Sequence, residues 1–351
     1  MTAPKIQIVS DTRFRDHRGP DGHPERPERL MAADTIIDTF RDRIEFATPR
    51  LAETDEILRV HDRRLFDMLK KTNGQRLSQF DPDTYVSPLS YDVARLAAGS
   101  CIDLCIKVLG GELNGGLAAI RPPGHHAEAD RSMGFCLFNN VAIAIRAIQS
   151  MESTARILVV DWDVHHGNGT QHIFETDPLV LYISTHQFPF YPGTGDFGEA
   201  GLEAGLGSTI NIPMPAGCGD EEFIGVFQRI VVPAALDFKP DLILISCGFD
   251  AHSEDPLASM ELSQQGYRVM SELMTSLAAS LCDGRIVFVL EGGYSLEGVR
   301  EGTEAVLESL TRRDPSPPAP AVTLRAGSTL KNIVDGVCEV HRRRIKGLGA
   351  A

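Results

Sequence analysis

Short apolar runs alternate with longer amphipathic segments along most of the chain. The apolar runs have the length and aliphatic content of buried strands and are Ile6–Val9, Leu117–Ile120, Ile157–Val160, Leu179–Ser184, Leu242–Ser246 and Ile286–Leu290. The predicted helices are Arg29–Phe40, Val93–Leu109, Val141–Ser150, Glu221–Leu236, Gln264–Ala279 and Leu296–Leu310. Such alternation predicts an α/β fold, an open and mostly parallel β-sheet with helices on both faces.

The composition changes clearly at one place, the proline-rich stretch Asp314–Pro320. We therefore predict a catalytic domain over 1–313 and, over 314–351, an extended connector followed by a helix. The apolar stripe that predicts this helix consists of Leu330, Ile333, Val334 and Val337. A stripe at helical spacing normally marks packing, so we expect the helix to dock on the same domain, with the basic run Arg342–Arg344 in solvent.

The overall composition is that of a globular enzyme. Of the 351 residues, 42% are hydrophobic and 23% are charged, which is ordinary for a soluble domain. The formal net charge of −14 argues against direct binding to nucleic acid, where a basic face supplies most of the affinity. An acidic surface is compatible with a cationic substrate, although net charge governs association rather than chemistry.

The cysteines and the N-terminus bear on the compartment. The seven cysteines form no C-x-x-C pair, which argues against a disulfide framework or a cysteine-rich zinc site. The segment Met1–Lys5 does not begin an apolar signal region, and no stretch approaches 18 uninterrupted apolar residues. We expect a cytoplasmic protein without a membrane partner.

Polar residues follow four of the predicted strands at the point where each strand ends. Ligands of an open parallel sheet bind beyond the carboxyl ends of its strands. The four segments found there are Arg121–His126, Asp161–Gly167, Cys247–His252 and Glu291–Tyr294. Four separate strand ends that carry such side chains indicate one functional site at this edge.

The segment Asp161-Trp-Asp163-Val-His165 is the most informative of the four. If it continues extended, its alternate side chains point the same way, so that Asp163 and His165 meet one cation, with Asp161 beside them. Asp250 from another strand end would complete three protein ligands and leave open positions, as in a catalytic zinc site. The oxygen-rich set also permits Mn(II) or Fe(II). The alternative is that these residues only cap helices or hydrogen-bond locally.

Two further features suit hydrolysis. The pair His125-His126 suits acid–base work because imidazole titrates near neutrality. Tyr294 follows two glycines that allow close backbone approach to a ligand, and its phenol could donate to a developing oxyanion. The chain lacks a G-x-S-x-G nucleophile motif and a G-x-x-x-x-G-K-[ST] phosphate loop.

Together these segments resemble a known family. The motifs that carry the resemblance are Arg121–His126, Gly134–Cys136, Asp161–Thr170, Tyr191–Gly195, Gly248–Ala251 and Glu291–Tyr294. They resemble the histone deacetylase and acetylpolyamine amidohydrolase superfamily over residues 5–310, and Gly22–Leu30 resembles its class II branch and the bacterial histone deacetylase-like amidohydrolases. The resemblance implies an arginase/deacetylase-like fold and a zinc-dependent deacetylase that hydrolyses linear amide C–N bonds.

Roles for individual residues follow from the resemblance. The implied ligands of one Zn²⁺ per chain are Asp163, His165 and Asp250. His126 is the implied general base for the attacking water, and His125 assists it. Asp161 is expected behind His125 and Asn168 behind His126; because Asn carries no charge, His126 should be the less basic ring. Tyr294 matches the residue that polarises the scissile carbonyl.

The resemblance also implies a substrate channel and a structural potassium ion. The walls of the channel match Gly134, Phe135 and Tyr191. The inner potassium site matches Asp161, Asp163, His165, Ser184 and Thr185, partly through carbonyl groups, and an outer site matches Phe174, Asp177 and Val180.

The function expected from the sequence is removal of acetyl from acetyl-lysine, in a protein or peptide, or from a small acylated amine. An acetylpolyamine or other small-amide amidohydrolase is the alternative with the same site. A catalytically silent binding protein conflicts with the intact ligands, histidines and Tyr294, and a two-manganese hydrolase of the arginase type needs more bridging ligands than we find. The sequence leaves the physiological substrate, the acyl length and a homo-oligomeric state open.

Overall fold

The computed structural model describes residues 4–313 and 319–349, so most of the predicted proline-rich connector lies outside the described residues. One sheet has eight strands, which are β1 (Ile6–Val9), β2 (Glu45–Phe46), β5 (Gly115–Ala118), β6 (Ile157–Asp161), β7 (Val180–Gln187), β8 (Thr209–Met214), β9 (Leu242–Cys247) and β10 (Ile286–Leu290). Their order across the sheet is β2-β1-β5-β10-β9-β6-β7-β8. The short strands β3 (Ser78–Gln79) and β4 (Tyr85–Val86) form a separate antiparallel pair.

The helices of the described residues surround this sheet. They are α1 (Glu28–Ile37), α2 (Thr54–Ile57), α3 (Arg63–Thr72), α4 (Ser90–Leu109), α5 (Asn140–Met151), α6 (Asn168–Phe174), α7 (Asp220–Val226), α8 (Val232–Phe238), α9 (Gln264–Leu281), α10 (Leu296–Thr311) and α11 (Thr329–His341). Shorter 3-10 turns cover Thr12–Asp16, Asp38–Arg43 and Glu203–Gly205. Helix α10 packs against both α1 and α9, and α4 packs on α5.

The burial of the strands explains this arrangement. Every pairing in the large sheet is parallel, and all residues of β6, β9 and β10 are buried. A strand buried on both faces reads as a continuous apolar run and requires helices above and below it. The predicted α/β class is therefore confirmed, with a sheet that is parallel throughout.

The edge strand β8 is not predicted from the sequence, and one predicted helix is interrupted. The edge strand β8 contains Asn211 and Pro213, which interrupt an apolar run, and proline is tolerated in edge strands. Asn211 is buried because its Nδ2 donates to Oε1 of Gln171 at 2.7 Å. The continuous helix predicted over Glu221–Leu236 is instead α7, a π-helical turn at Phe227–Val231, and α8. The irregular turn lies just before Pro233, which has no N–H for a helical hydrogen bond.

The C-terminal helix α11 packs on β8 and on the π-helical turn. The residues of its predicted stripe that are buried are Leu330, Val334 and Val337. The chain that leads to it is held by Arg229, whose guanidinium donates to the carbonyl of Val322 at 2.7 Å. No helix of the described residues has the length and hydropathy needed to cross a membrane; the cytoplasmic location stays a prediction.

Candidate active site

The four polar segments converge because their strands are neighbours. β5, β10, β9 and β6 lie side by side in the middle of the sheet and run in the same direction. Their carboxyl ends therefore meet at one edge, where parallel sheets place their ligands. The order of these strands along the chain is different, so the sequence does not show this adjacency.

Three of the predicted residues form a buried cluster that fits one divalent cation. Ligand atoms of Asp163, His165 and Asp250 all lie within 4.8 Å of one another. Nδ1 of His165 is 3.1 Å from Oδ1 of Asp163 and 3.1 Å from Oδ2 of Asp250. Burial, and next the charge of Asp163, raise the pKa of Asp250 to about 7. Two carboxylates and an imidazole in this arrangement match the donor set of a catalytic zinc.

The backbone geometry behind this cluster differs from the predicted one. The strand β6 ends at Asp161, and residues 163–165 form a bend rather than an extended continuation. In this bend the backbone N–H of His165 donates to Oδ1 of Asp163 at 2.9 Å. Asp163 and His165 thus meet because the chain turns, so the assumption of alternating side chains was wrong for this segment.

Backbone groups from neighbouring strand ends hold both carboxylates. The N–H of Gly292, which follows β10, donates to Oδ2 of Asp163 at 2.7 Å. The N–H of Val164 donates to Oδ1 of Asp250 at 2.9 Å. Because each carboxylate is fixed by a different segment, the cluster depends on the packing of β6, β9 and β10.

The tandem histidines lie next to the cluster, with ring centroids 4.0 Å apart. Nδ1 of His125 is 3.1 Å from Oδ2 of Asp161, and Nδ1 of His126 is 2.7 Å from Oδ1 of Asn168. Asp161 also accepts a hydrogen bond from the hydroxyl of Tyr182 at 3.0 Å. The structure therefore brings each histidine to the partner that the resemblance implies.

The two rings differ in their basicity. Burial lowers the pKa of His125, but Asp163 and Asp161 outweigh this effect and hold the pKa well above its usual value. Burial lowers the pKa of His126, and the charges of His125 and His165 lower it further. His125 is thus the more basic ring and His126 the less basic one, which is an arrangement suited to an acid and a base.

Tyr294 follows β10 at the same edge of the sheet and is 7% exposed. Its backbone N–H donates to Oδ2 of Asp255 at 2.7 Å, and the guanidinium carbon of Arg29 lies 5.1 Å from the centre of its ring. Burial, and next the charge of Asp250, raise the pKa of its phenol well above the usual value. The hydroxyl therefore stays protonated and can act as a hydrogen-bond donor.

Aromatic rings line the approach to these groups. The ring of Phe135 meets that of Tyr294 edge-on at 5.7 Å, and the ring of Tyr191 meets that of His126 edge-on at 5.1 Å. Gly134 has φ of 56°, and a Cβ there would overlap the ring of His126, so a side chain at this position is excluded. Phe190, which the sequence analysis does not identify, stacks on His165 at 5.2 Å.

Comparison with known proteins identifies the family. The family model described as "Histone deacetylase domain" matches residues 23–310. The chain belongs to the histone deacetylase family. It is 40% identical over 320 residues to Histone deacetylase 15 of Arabidopsis thaliana, with 89% of this chain and 57% of that protein covered, so it spans little more than half of that relative's length.

A bacterial relative and a crystal structure extend the comparison. The chain is 39% identical over 298 residues to "Histone deacetylase-like amidohydrolase" of Pseudomonas aeruginosa, with 83% of this chain and 77% of that protein covered. The crystal structure of the HDA15 HD domain matches with a TM-score of 0.87 and 36% identity over 97% of this chain and 96% of that one. The arginase/deacetylase-like fold is thereby shown, and a hydrolytic deacetylase activity is supported.

Some residues of this deacetylase-family site are not predicted from the sequence. Oε2 of Glu291 accepts hydrogen bonds from the N–H groups of Gly124, at 2.6 Å, and His125, at 3.2 Å, and so fixes the loop of the tandem histidines. Arg29 donates to the backbone carbonyls of Gly293 and Glu291. Glu291 and Arg29 belong to motifs that carry the family resemblance, but only their burial in the structure shows that they support the site.

A further buried cluster supports Arg29. Glu25 accepts hydrogen bonds from Arg29, at 2.9 Å, and from Arg121, at 2.6 Å. Glu25 is 1% exposed, and both arginines are fully buried. The motif Gly22–Leu30 therefore contributes a buried ion-pair cluster under the Tyr294 loop.

Three residues of the predicted inner potassium site lie on two adjacent strands, and Asp163 and His165 lie in the bend that follows β6. Asp161 on β6 is paired with Ser184 on β7, and Thr185 follows on the same strand. The hydroxyl of Thr185 is buried and has no hydrogen-bond partner among the described residues. Carboxylate, hydroxyl and carbonyl oxygens close together are suitable ligands for a hard cation.

The residues of the predicted outer site lie together between α6 and β7. The carbonyl of Phe174 accepts a hydrogen bond from the N–H of Asp177 at 2.8 Å, and the carbonyl of Asp177 accepts one from Val180 at 3.3 Å. The guanidinium of Arg146 donates to the carboxylate of Asp177 at 2.6 Å. A second potassium ion would have to share this region with the charge of Arg146.

Proposed function

We propose that the chain is a zinc-dependent deacetylase that removes acetyl from acetyl-lysine, in a protein or peptide, or from a small acylated amine. The observation that carries the proposal is the buried cluster of Asp163, His165 and Asp250 beside two histidines with opposite pKa shifts. Amide hydrolysis requires electrostatic activation of the carbonyl, a base for the water and an acid for the amine. The cluster, His126 and His125 are suited to these three tasks.

The metal would contribute the electrostatic part of the chemistry. Asp163, His165 and Asp250 would hold the zinc ion, which when bound polarises a carbonyl and makes nearby water more acidic. The resemblance favours zinc over Mn(II) and Fe(II), which the donor set alone also accepts.

The protein groups would carry the proton transfers. Nε2 of the neutral His126 takes a proton from the attacking water, whose oxygen forms the new bond to the carbonyl carbon. His125 gives its proton to the amine nitrogen as the C–N bond breaks, so that acetate and a free amine leave. The hydroxyl of Tyr294 donates to the carbonyl oxygen as negative charge develops on it.

The channel would select an acyl group on a long methylene chain. The flat faces of Phe135 and Tyr191 suit packing against such a chain. Burial, and next the charges of Asp83 and Asp81, raise the pKa of Tyr191. These two aspartates therefore place negative charge near the channel. That charge favours an acylated amine with further positive charges, so an acetylpolyamine is the alternative substrate.

A potassium ion near Asp161, Ser184 and Thr185 is part of the proposal. It would neutralise part of the negative charge of the two aspartates on either side of Trp162. The buried hydroxyl of Thr185 has no hydrogen-bond partner within residues 4–313 and 319–349, which supports an ion at this place, since buried polar atoms are normally satisfied.

The proposal is tested by hydrolysis and metal analysis on the same preparation. Acetyl-lysine and trifluoroacetyl-lysine peptides are compared with acetylated polyamines, with Asp250→Ala as the inactive control. We expect acetate or trifluoroacetate release by the wild type and one zinc ion per chain. Two manganese ions per chain, or no hydrolysis of any substrate by zinc-loaded protein, would contradict the proposal; a preference for polyamines would select the alternative substrate.

A further inference from the structure

A buried carboxylate lies behind Asn168, on the side away from His126. Oδ1 of Asn168 is 2.7 Å from Nδ1 of His126, and its Nδ2 is 2.5 Å from Oε1 of Glu128. Asn168 is 2% exposed and Glu128 is 7% exposed. The side chains of Glu128, Asn168 and His126 thus form a continuous hydrogen-bonded chain that ends at the imidazole of His126.

We propose that Glu128 is a positioning residue that fixes the orientation of the Asn168 amide and, through it, the tautomer of His126. The inference rests on the proposed function in one respect, that His126 acts as the base. It assigns a role to Glu128 that the metal cluster and the tandem histidines do not explain.

The two ends of the Asn168 amide differ in their hydrogen bonding. The oxygen of Asn168 only accepts hydrogen bonds and its NH₂ group only donates them, while an ionised carboxylate accepts only. If the amide turned over, its oxygen would face Oε1 of Glu128, and two acceptors would meet. Glu128 therefore favours the NH₂ group towards itself and the oxygen towards His126, and the backbone carbonyl of His126 adds a longer contact of the same sign, since it accepts from Nδ2 at 3.4 Å.

The orientation of the amide decides which nitrogen of His126 carries the proton. With Oδ1 of Asn168 facing Nδ1, the proton of the neutral imidazole lies on Nδ1, and Nε2 is free to accept another. With the amide reversed, Nδ1 would accept a hydrogen bond and the proton would move to Nε2. A neutral ring protonated at Nε2 cannot take a proton from water at that atom, so the reversed form would be inactive.

Glu128 is itself held in place. Its carbonyl accepts a hydrogen bond from Nδ1 of His61 at 2.9 Å, and its N–H donates to the carbonyl of Arg131 at 2.9 Å. Its carboxylate also accepts from Nδ1 of His172, at 2.9 and 3.0 Å. The backbone of Glu128 is thus held by His61 and Arg131, and its carboxylate lies between His172 and Asn168.

His125, the other member of the tandem pair, provides an internal comparison. Its partner Asp161 presents carboxylate oxygens, which accept in either orientation, so no residue is needed to orient it. Asn168→Asp would give His126 the same kind of partner and would place a second carboxylate against Glu128. In the Asn168→Asp background Glu128 should lower kcat rather than raise it, because the two carboxylates repel each other.

The test measures kcat and KM of the zinc-loaded protein with an acetyl-lysine peptide. We expect Glu128→Leu to lower kcat by about 10–100-fold, as for other residues that orient a catalytic group, with KM changed by less than about twofold because the channel is untouched. Glu128→Gln keeps an acceptor oxygen for Asn168 and should stay within about threefold of wild type. In the Asn168→Asp background, both substitutions of Glu128 should raise kcat.

A second measurement reports the tautomer without any turnover. The ¹⁵N shifts of the His126 ring in histidine-labelled protein should show the proton on Nδ1 in wild type and a shift towards Nε2 in Glu128→Leu. An unchanged tautomer and kcat in folded Glu128→Leu would overturn the proposal, as would equal losses in the Gln and Leu variants. If wild type hydrolyses no substrate, the proposed function fails while the tautomer still decides the role of Glu128. If Glu128→Leu does not fold, Glu128→Gln still tests the proposal. It should leave kcat within about threefold of wild type and should raise kcat in the Asn168→Asp background.

Discussion

Glu25 lies between two buried arginines, and we expect Glu25→Gln to destabilise the protein. Its carboxylate bonds both Arg29 and Arg121, and all three side chains are almost completely buried. Glutamine has nearly the same size, but its NH₂ group would face guanidinium groups that also only donate. The substitution therefore removes the negative charge and leaves two buried positive charges without compensation.

The expected loss of stability is large enough to measure. Removing one partner of a buried ion pair costs about 3–5 kcal/mol. With an unfolding entropy of about 2.1 cal/mol/K per residue, a chain of 351 residues has an unfolding entropy of about 0.74 kcal/mol/K. The melting temperature should therefore fall by about 4–7 °C. Because Arg29 also donates to the Gly293 carbonyl, we expect kcat to fall as well.

The assay is thermal unfolding of Glu25→Gln, wild type and Glu28→Gln. Glu28 belongs to the same motif but is exposed, so its neutralisation should change stability by less than about 0.5 kcal/mol. Burial raises the pKa of Glu25, but the charge of Arg121 outweighs it and the net pKa is lowered. The stabilisation is therefore complete above the unfolded pKa of about 4.3 and disappears only as the pH falls through the lower folded value.

Two results would refute this reasoning. One is a melting temperature of Glu25→Gln within about 1 °C of that of Glu28→Gln, since the buried pair would then contribute no more than a surface charge. The other is a difference between wild type and Glu25→Gln that grows as the pH falls from about 6 to 4, which is the opposite sign to a lowered pKa.

Three further predictions concern the site. Tyr294→Phe should lower kcat by about 10²–10³-fold with little change in KM, because only the donor to the oxyanion is removed; an unchanged kcat would exclude that role. Asp250→Asn should lose zinc on dialysis under conditions in which wild type keeps it, as measured by elemental analysis. In Gly292→Ala the new Cβ would overlap Oδ2 of Asp250 and lie 2.6 Å from Oδ2 of Asp163, so zinc affinity should fall about 10–100-fold, whereas exposed Gly198→Ala should bind zinc like wild type.

Local sequence patterns predict the buried strands well and the edge strand poorly. The strands β1 and β10 have the predicted bounds, because a strand covered on both faces is mostly apolar. The apolar run of the edge strand β8 is interrupted by Asn211. This residue is nevertheless buried, because it donates a hydrogen bond to Gln171, a residue far away in the sequence. A pattern within one segment does not contain that partner.

The sequence by itself determines that four strand ends carry polar side chains and that the motifs around them resemble the histone deacetylase family. Only the tertiary structure decides that β5, β10, β9 and β6 are neighbours, since strand order depends on packing between distant segments. The bend at residues 163–165, rather than an extended strand, is what brings Asp163 and His165 together. The support from Glu25, Glu128 and Glu291 is equally non-local, because a buried carboxylate acquires its role from the groups that surround it.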